Sequence, residues 1–259
     1  MNIVSNFVIL TKNVQSIQKD DRLRELFVEM ETTEWDILLV TETWREKSRE
    51  TWTSADGHLF CGSGGIKGSQ GVAITLHQRW RTFFKCFHAI NARICAMDVR
   101  IRDRNFRFIA VYMPHSGYED IDVEGVYAEM DQYINLARRT KKICIIAGDF
   151  NATVGHYQPG DAPIIGNIGG FGYRNARGEI LMTWTSLHSL SISDTFFEGG
   201  VNNRWTYEKS DVRYQLDYCL IDSGRIAMIE SAGAIDLIGL GQDHRTVQLS
   251  LLLEAFSEK

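Results

Sequence analysis

The sequence predicts an α/β fold of stacked β-sheets flanked by helices, over 259 residues. Three observations point there. Apolar runs of strand length recur from end to end. Three segments switch to the i, i+3, i+4, i+7 spacing of a helix buried on one face. No internal repeat, low-complexity stretch or compositional break divides the chain, and only three prolines occur, too few for a rigid spacer. One domain over residues 1–259 is therefore expected.

The elements follow in order. Phe7-Val8-Ile9-Leu10 reads as a buried strand running to Asn13. From Asp20, the residues Leu23, Leu26, Phe27 and Met30 mark one face of a helix. Ile37 to Val40 is a second strand, stopping at Glu42, and Gly71 to Leu76 is a third after a Gly/Ser-rich turn. Ile94 to Ile101 and Phe106 to Tyr112 read as a hairpin turning at Asp103-Arg104-Asn105. Val126, Tyr127, Met130, Tyr133, Ile134 and Ala137 mark a second helix, whose last turn carries Arg138 and Arg139 against the negative end of the dipole. Ile143 to Ala147 is a buried strand leading to Asp149. Leu181, Trp184, Leu187 and Leu190 suggest a third helix. Leu216 to Ile221 and the alternating Val247, Leu249 and Leu251 supply the closing strands.

Composition narrows the class. Hydrophobic residues at 44% and charged residues at 24% are globular values and exclude a disordered chain. No apolar run approaches the roughly 18–20 residues of a membrane span. The start, Met1-Asn2-Ile3-Val4-Ser5-Asn6, lacks the basic and apolar regions of a secretory signal. Five cysteines, with no Cys-x-x-Cys pair, argue against zinc clusters and disulfides and for a reducing compartment. A net charge of −5 argues against a protein that grips nucleic acid by phosphate contacts alone. It does not exclude nucleic acid, since a site that holds a divalent cation needs its own carboxylates and basic residues can still cluster on one face.

Several apolar runs stop at polar residues able to do chemistry: Asn13, Glu42, Tyr112 with His115, Asp149 with Asn151, Asp217, and Asp243-His244. Any one of them is ordinarily a cap or a turn. Together they describe a rim built from rigid strand ends. Carboxylates with an Asn and no thiolate are hard oxygen donors, suited to Mg²⁺ or Mn²⁺. Asp149 and Asn151, at i and i+2, face the same way on an extended segment. Asp217 lies among apolar residues and needs a partner, for which His244 is the natural candidate. An Asp–His couple, a metal-bound carboxylate and a second Asp suit hydrolysis of a phosphate ester.

The motifs carrying these residues run through nearly the whole chain. They are Thr11-Lys12-Asn13-Val14-Gln15-Ser16-Ile17, Leu39-Val40-Thr41-Glu42-Thr43, Gly71-Val72-Ala73-Ile74 and Val111-Tyr112-Met113-Pro114-His115. Then come Gly148-Asp149-Phe150-Asn151-Ala152-Thr153-Val154-Gly155 and Gly170 to Gly178 through Asp194-Thr195-Phe196-Phe197. Trp205-Thr206-Tyr207, Gln215-Leu216-Asp217-Tyr218 and Asp243-His244-Arg245 close the series. In this order the sequence resembles the exonuclease–endonuclease–phosphatase superfamily, and more closely the apurinic-like endonuclease domain of non-LTR retrotransposons of the RTE/BovB type. The resemblance implies a four-layered α/β sandwich, two face-to-face mixed sheets between helices. It implies Mg²⁺-dependent nicking of double-stranded DNA that leaves a 3′ hydroxyl to prime reverse transcription. Asp149, His244, Asp217, Asn151 and Tyr112 would be catalytic. Glu42, with Asn13 and Asp243, would hold the metal, Mg²⁺ or Mn²⁺. His115, Arg174, Asn175 and Trp205 would meet DNA.

The resemblance further implies a monomer acting in the nucleus, without a membrane, with a reverse transcriptase in the parent polypeptide. This chain is too short to carry that enzyme, so it is an excised domain or a stand-alone relative. Two departures bear on target choice and metal number. Gln242 replaces the usual Ser before Asp243, and Tyr207-Glu208-Lys209-Ser210-Asp211 lacks the relatives' Ser-Pro-Asp-Gly turn. Gln15 stands where some relatives have a second acidic ligand, which favours one metal. Rival readings are a sister phosphoesterase with another substrate surface and an inert host protein descended from such an element. Outside the motifs, His58, His77, His88, His156 and His188 read as surface or packing residues, and the tryptophans other than Trp205 as core. Arg100, Arg102, Arg104 and Arg107 read as a solvated strand face. Arg138, Arg139, Lys141 and Lys142 read as the end of a helix.

Overall fold

The computed structural model describes residues 6–65, 68–198, 204–237, 239 and 243–256; Met1–Ser5 and Gln242 lie outside them. In chain order the first elements are β1 (Asn6–Asn13), α1 (Asp20–Met30), β2 (Ile37–Thr41), β3 (Glu50–Thr53), β4 (Leu59–Ser63) and β5 (Val72–Leu76). Next come β6 (Phe84–Ala89), β7 (Ile94–Ile101), β8 (Arg104–Tyr112), α2 (Asp120–Arg139), β9 (Ile143–Asp149) and α3 (Ala176–Leu187). The chain closes with β10 (Leu190–Ile192), β11 (Tyr207–Lys209), β12 (Val212–Tyr214), β13 (Asp217–Asp222), β14 (Ile229–Ile235) and β15 (Thr246–Leu252).

Two mixed sheets form, in the orders β14-β15-β1-β2-β5-β4-β3 and β10-β13-β9-β8-β7-β6, beside a separate β11-β12 hairpin. Each large sheet has one parallel pair, β1–β2 in the first and β8–β9 in the second. The central strands are apolar on both faces because both faces are covered. Phe7 and Ile9 of β1 and Ile37 and Leu39 of β2 point inward, against Phe108, Ala110, Ile145 and Ala147 of the other sheet. The alternate residues Val8, Leu10, Leu38 and Val40 point outward onto Leu23, Leu26, Phe27 and Met30 of α1. On the far side, Ile109, Val111, Cys144 and Ile146 meet Val126, Met130 and Ile134 of α2 and Leu181 and Trp184 of α3. The result is the four-layered α/β sandwich, helix–sheet–sheet–helix. No helix among the described residues is long and apolar enough to cross a membrane, and the five cysteines are unpaired.

The parallel pairs decide where the polar strand ends fall. β1 and β2 run side by side to Asn13 and Thr41, and β8 and β9 to Tyr112 and Asp149. Gly148 allows that last step. Its φ is +150°, and a Cβ there would lie 2.0 Å from the Val111 carbonyl of the neighbouring strand.

Four details differ from the sequence reading. Leu190 belongs to β10, because the third helix ends at Leu187. The β7–β8 hairpin turns at Arg102-Asp103, with Arg102 at φ +50°, so Arg104 and Asn105 are already paired in β8. Asn151 is not extended: its φ of +47° turns the chain just after β9. Arg107 is not on a solvated face. It is 1% exposed and bonds both oxygens of Asp98, at 2.7 and 2.8 Å, while Lys142 adds a third contact at 2.8 Å. Arg138 and Arg139 do close the last turn of α2, but Arg138 reaches across to the His188 carbonyl and the Asp222 carboxylate, and Lys142 to Asp98.

Burial alone would raise the Asp98 carboxyl, but hydrogen bonds from Arg107, His88 and Lys142 outweigh it and hold it far below the ordinary carboxylate range. A depressed carboxyl stabilises fully above its unfolded value of about 3.9 and loses that contribution as pH falls below it. Arg107→Met is expected to cost about 3–5 kcal/mol in urea unfolding, because it strands a buried carboxylate. Asp98→Asn should flatten the acid limb of stability below pH ~4. An acid limb equally steep in Asp98→Asn and wild type would contradict the assignment.

Candidate active site at the mouth of the two sheets

The inner-face alternation of the second sheet brings Tyr112, Asp149 and Asp217 into one row. Asp149 pairs in register with Tyr112 on one side and Asp217 on the other. The first sheet supplies Asn13, Glu42 and His244, the last just ahead of β15.

Asn13 is completely buried, and its Nδ2 donates to Glu42 Oε1 at 2.8 Å and to Asp149 Oδ2 at 3.0 Å. Strict alternation along β2 would have sent Glu42 outward with Leu38 and Val40. A left-handed φ of +54° at Glu42 turns it back to Asn13. Left-handed residues crowd here: Gln15, Ser16, Glu42, Trp44 and Asn151 all have positive φ. Such conformations cost about 1–3 kcal/mol each and gather where position matters more than comfort. Trp44 Nε1 donates to Glu42 Oε2 at 3.3 Å, and the Tyr112 hydroxyl lies close enough to Glu42 to feel its charge. Burial first, then the charges of Glu42 and Asp149, raise Tyr112 far above the ordinary phenol range, so its hydroxyl stays protonated.

Asp217 Oδ2 lies 2.9 Å from His244 Nδ1, with the residues 0% and 5% exposed. A carboxylate on Nδ1 fixes that nitrogen as the proton carrier and leaves Nε2 for other work. Thr206 Oγ1 accepts from the backbone N–H of Leu216 and of Asp217, holding the start of β13. Burial pulls His244 down, but the charge and hydrogen bond of Asp217, with help from Asp149 and Glu42, lift it to about 9. Burial and the facing charge of Asp217 raise Asp149 to about 7, against the opposing pull of His244, the Asn151 N–H and the Asn13 amide.

The other expected residues fall into two groups. Asn151 donates its N–H to Asp149 Oδ1 and its side chain to the Met113 carbonyl, tying the turn to the site. Asp243 sits exposed at the rim, where Gln15 Nε2 donates to it at 3.3 Å. His115 is exposed on the loop after β8, its Nδ1 accepting from Gly117 N–H and its ring against Tyr118. Asn175 caps α3, accepting from Gly178 N–H. Trp205 lies 4.6 Å from the Arg213 guanidinium and 4.7 Å from that of Arg245. Arg174 differs from the expectation of a DNA contact. Its side chain is 7% exposed, paired with Asp161 and bonded to the Val154 carbonyl, so it braces the loop after Asp149.

Sequence reasoning missed Trp44, Thr206, Tyr207, Arg93 and Lys12. The Arg93 guanidinium lies 5.2 Å from the Tyr112 ring, and the Tyr207 ring 4.7 Å from His244. Lys12, pushed down to about 8 by burial, donates to the His244 carbonyl at 2.7 Å. A lysine inside an apolar strand was the one visible signal.

Among the described residues, Asp149, Asp217 and His244 have ligand atoms within 4.8 Å of one another, close enough to hold a metal ion. Asp217 and His244 are already bonded to each other. The all-oxygen set around Asn13 and Glu42 suits a hard divalent cation better. Glu42 is half-buried, and its hydrogen-bond donors are the Asn13 amide and Trp44; among the described residues no lysine or arginine is ion-paired with it.

The model of the endonuclease/exonuclease/phosphatase family matches residues 10–244. The chain belongs to that family. Among solved structures, the endonuclease domain of TRAS1, a telomere-specific non-LTR retrotransposon, superposes with a TM-score of 0.65 at 16% identity, over 96% of this chain and 99% of that one. The 3′-5′ exonuclease NExo from Neisseria meningitidis gives 0.70 at 18% identity, over 95% and 99%. The AP endonuclease LMAP from Leishmania major gives 0.73 at 14% identity, over 96% and 88%. At these identities the likeness is one of fold. A search of curated proteins by sequence finds no match.

The His244 assignment has a direct check. A raised histidine stabilises fully below its unfolded value of about 6.5, and that contribution is lost as pH rises through about 9. NMR titration of the metal-free protein should find His244 still charged at pH 8, and Asp217→Asn should return it toward or below the ordinary value. An ordinary titration in wild type would contradict the pairing.

Proposed function

We propose that this protein is a Mg²⁺-dependent endonuclease that nicks double-stranded DNA, cutting a phosphodiester to leave a 3′ hydroxyl of the kind that primes reverse transcription in non-LTR retrotransposons. The observation that carries the reading is the single buried mouth where Asn13, Glu42 and Asp149 meet beside the Asp217–His244 pair. Glu42, Asn13 and Asp243 would hold the cation, which when bound supplies positive charge to the phosphate and to the departing oxygen.

The chain's own groups supply the rest. Asp149, raised to about 7, is poised near neutrality to accept a proton from water, the requirement for a general base. His244, raised to about 9, is an imidazolium at neutral pH and therefore a donor; its Nε2–H can bond a phosphate oxygen as negative charge builds. That charge state favours donation over proton abstraction by His244. Tyr112, held protonated, is a second donor beside Glu42. Asn151 holds the turn that aims Asp149. DNA as the substrate, a nuclear site of action and a reverse transcriptase elsewhere in a parent polypeptide belong to the same proposal. The DNA substrate and the reverse transcriptase are supported by the motif order and by the TRAS1 likeness in fold, the nuclear site of action by the motif order alone.

Supercoiled plasmid with Mg²⁺ should be converted to open circles that a DNA polymerase extends directly, without phosphatase treatment. Glu42→Gln, Asp149→Asn and His244→Ala should each slow nicking by about 10²–10⁴-fold while remaining folded. No nicking by wild type with Mg²⁺ or Mn²⁺, alongside release of phosphate from a non-nucleic ester, would replace this reading with a sister phosphoesterase.

A further inference from the structure

β1 ends in two adjacent polar residues that face opposite ways. Asn13 continues the inward series of Phe7, Ile9 and Thr11 and meets Glu42 and Asp149. Lys12 continues the outward series of Val8 and Leu10, in the apolar layer under α1. There an apolar side chain would satisfy the pattern, yet a lysine stands 2% exposed. Burying an ammonium costs several kcal/mol unless its geometry is well satisfied. Lys12 meets that demand by donating from Nζ to the His244 carbonyl at 2.7 Å, with acidic Glu29, Asp236 and Asp217 near enough to favour its charge.

The contact falls where the backbone ladder runs out. Pairing of β1 with β15 stops at Thr11↔Val247, three residues short of His244. The neighbours of His244 are held from the β11 side, Asp243 O by Glu208 N–H at 2.8 Å and Arg245 N–H by Thr206 O at 2.7 Å. A buried carbonyl needs its own donor, and on the β1 side the Lys12 side chain provides it. The backbone from which the imidazole extends to Asp217 is thereby gripped from both sides.

We propose that Lys12 is a positioning residue for His244, its ammonium clamping the His244 carbonyl so that the ring meets Asp217. The inference rests on the reading of His244 as a catalytic donor. Lys12→Met should lower kcat for plasmid nicking roughly 10–100-fold with KM little changed, the scale of a small misplacement of a catalytic group. In a His244→Ala background the same change should cost nothing further, since the clamp then has no ring to place. Lys12→Arg, which keeps a buried donor, should recover part of the loss. Two NMR observations need no activity. The low-field Nδ1–H signal of His244, absent in Asp217→Asn, should shift or broaden in Lys12→Met. In wild type, Lys12 Nζ should show a through-hydrogen-bond coupling to the His244 carbonyl carbon, which decides the matter even if Lys12→Met fails to fold. Wild-type rates in Lys12→Met, losses that multiply in the double variant, an unshifted His244 signal or a missing coupling would each overturn the proposal. An inactive wild type that keeps both NMR signatures would sink the functional reading and leave the clamp standing.

Discussion

One side-chain amide joins the two halves of this molecule's chemistry. Asn13 Nδ2 bonds Glu42 within its own sheet and Asp149 across the sandwich. Both carboxylates are drawn to a point that neither would occupy alone. Glu42 must leave the alternation of β2 through a left-handed φ, and Asp149 must sit opposite Asp217 in a buried row. Replacing that amide by an apolar group would take one hydrogen-bond donor from each carboxylate, a loss that weighs most on the buried Asp149. The parallel pairs β1–β2 and β8–β9 serve this one junction, because only their shared direction brings four strand ends to one rim.

Charge at the rim is balanced in a graded way. Asp149 and Asp217 are directly opposed on adjacent strands, and burial together with the charge of Asp217 raises Asp149. His244 answers Asp217 through Nδ1, which leaves Nε2 for other work. The outcome is a base poised near neutrality beside a donor that is charged there, from residues that are ordinary one by one. Pushing such values apart is how a single site performs both acid and base chemistry.

Much of this was legible in the sequence, and the reasons are physical. Strands buried on both faces must be apolar throughout, so β1, β2, β5, β8 and β9 stood out, as did the helical stripes of α1 and α2. β3, β6 and the β11–β12 hairpin were not legible, because Thr51, Lys85, Glu208 and Arg213 lie on half-exposed or edge strands where no pattern is enforced. The need of a buried carboxylate for a partner pointed to the Asp217–His244 pair, and the motif order put Glu42 and Asn13 at one site. It could not show that Glu42 reaches Asn13 only through a reversed φ, or that Asn151 turns instead of extending. Arg107 was misread because charge spacing along a strand says nothing about a buried partner such as Asp98. Arg174 was misread for the same reason, its partner Asp161 lying on a loop with no periodicity.

Crystals soaked in Mn²⁺ and measured at the metal's absorption edge test the central claim most directly. The account predicts one anomalous peak in contact with the Glu42 carboxylate, beside Asn13, with Asp217 and His244 still bonded to each other. A peak seated between Asp217 and His244, or none near Glu42, would contradict it.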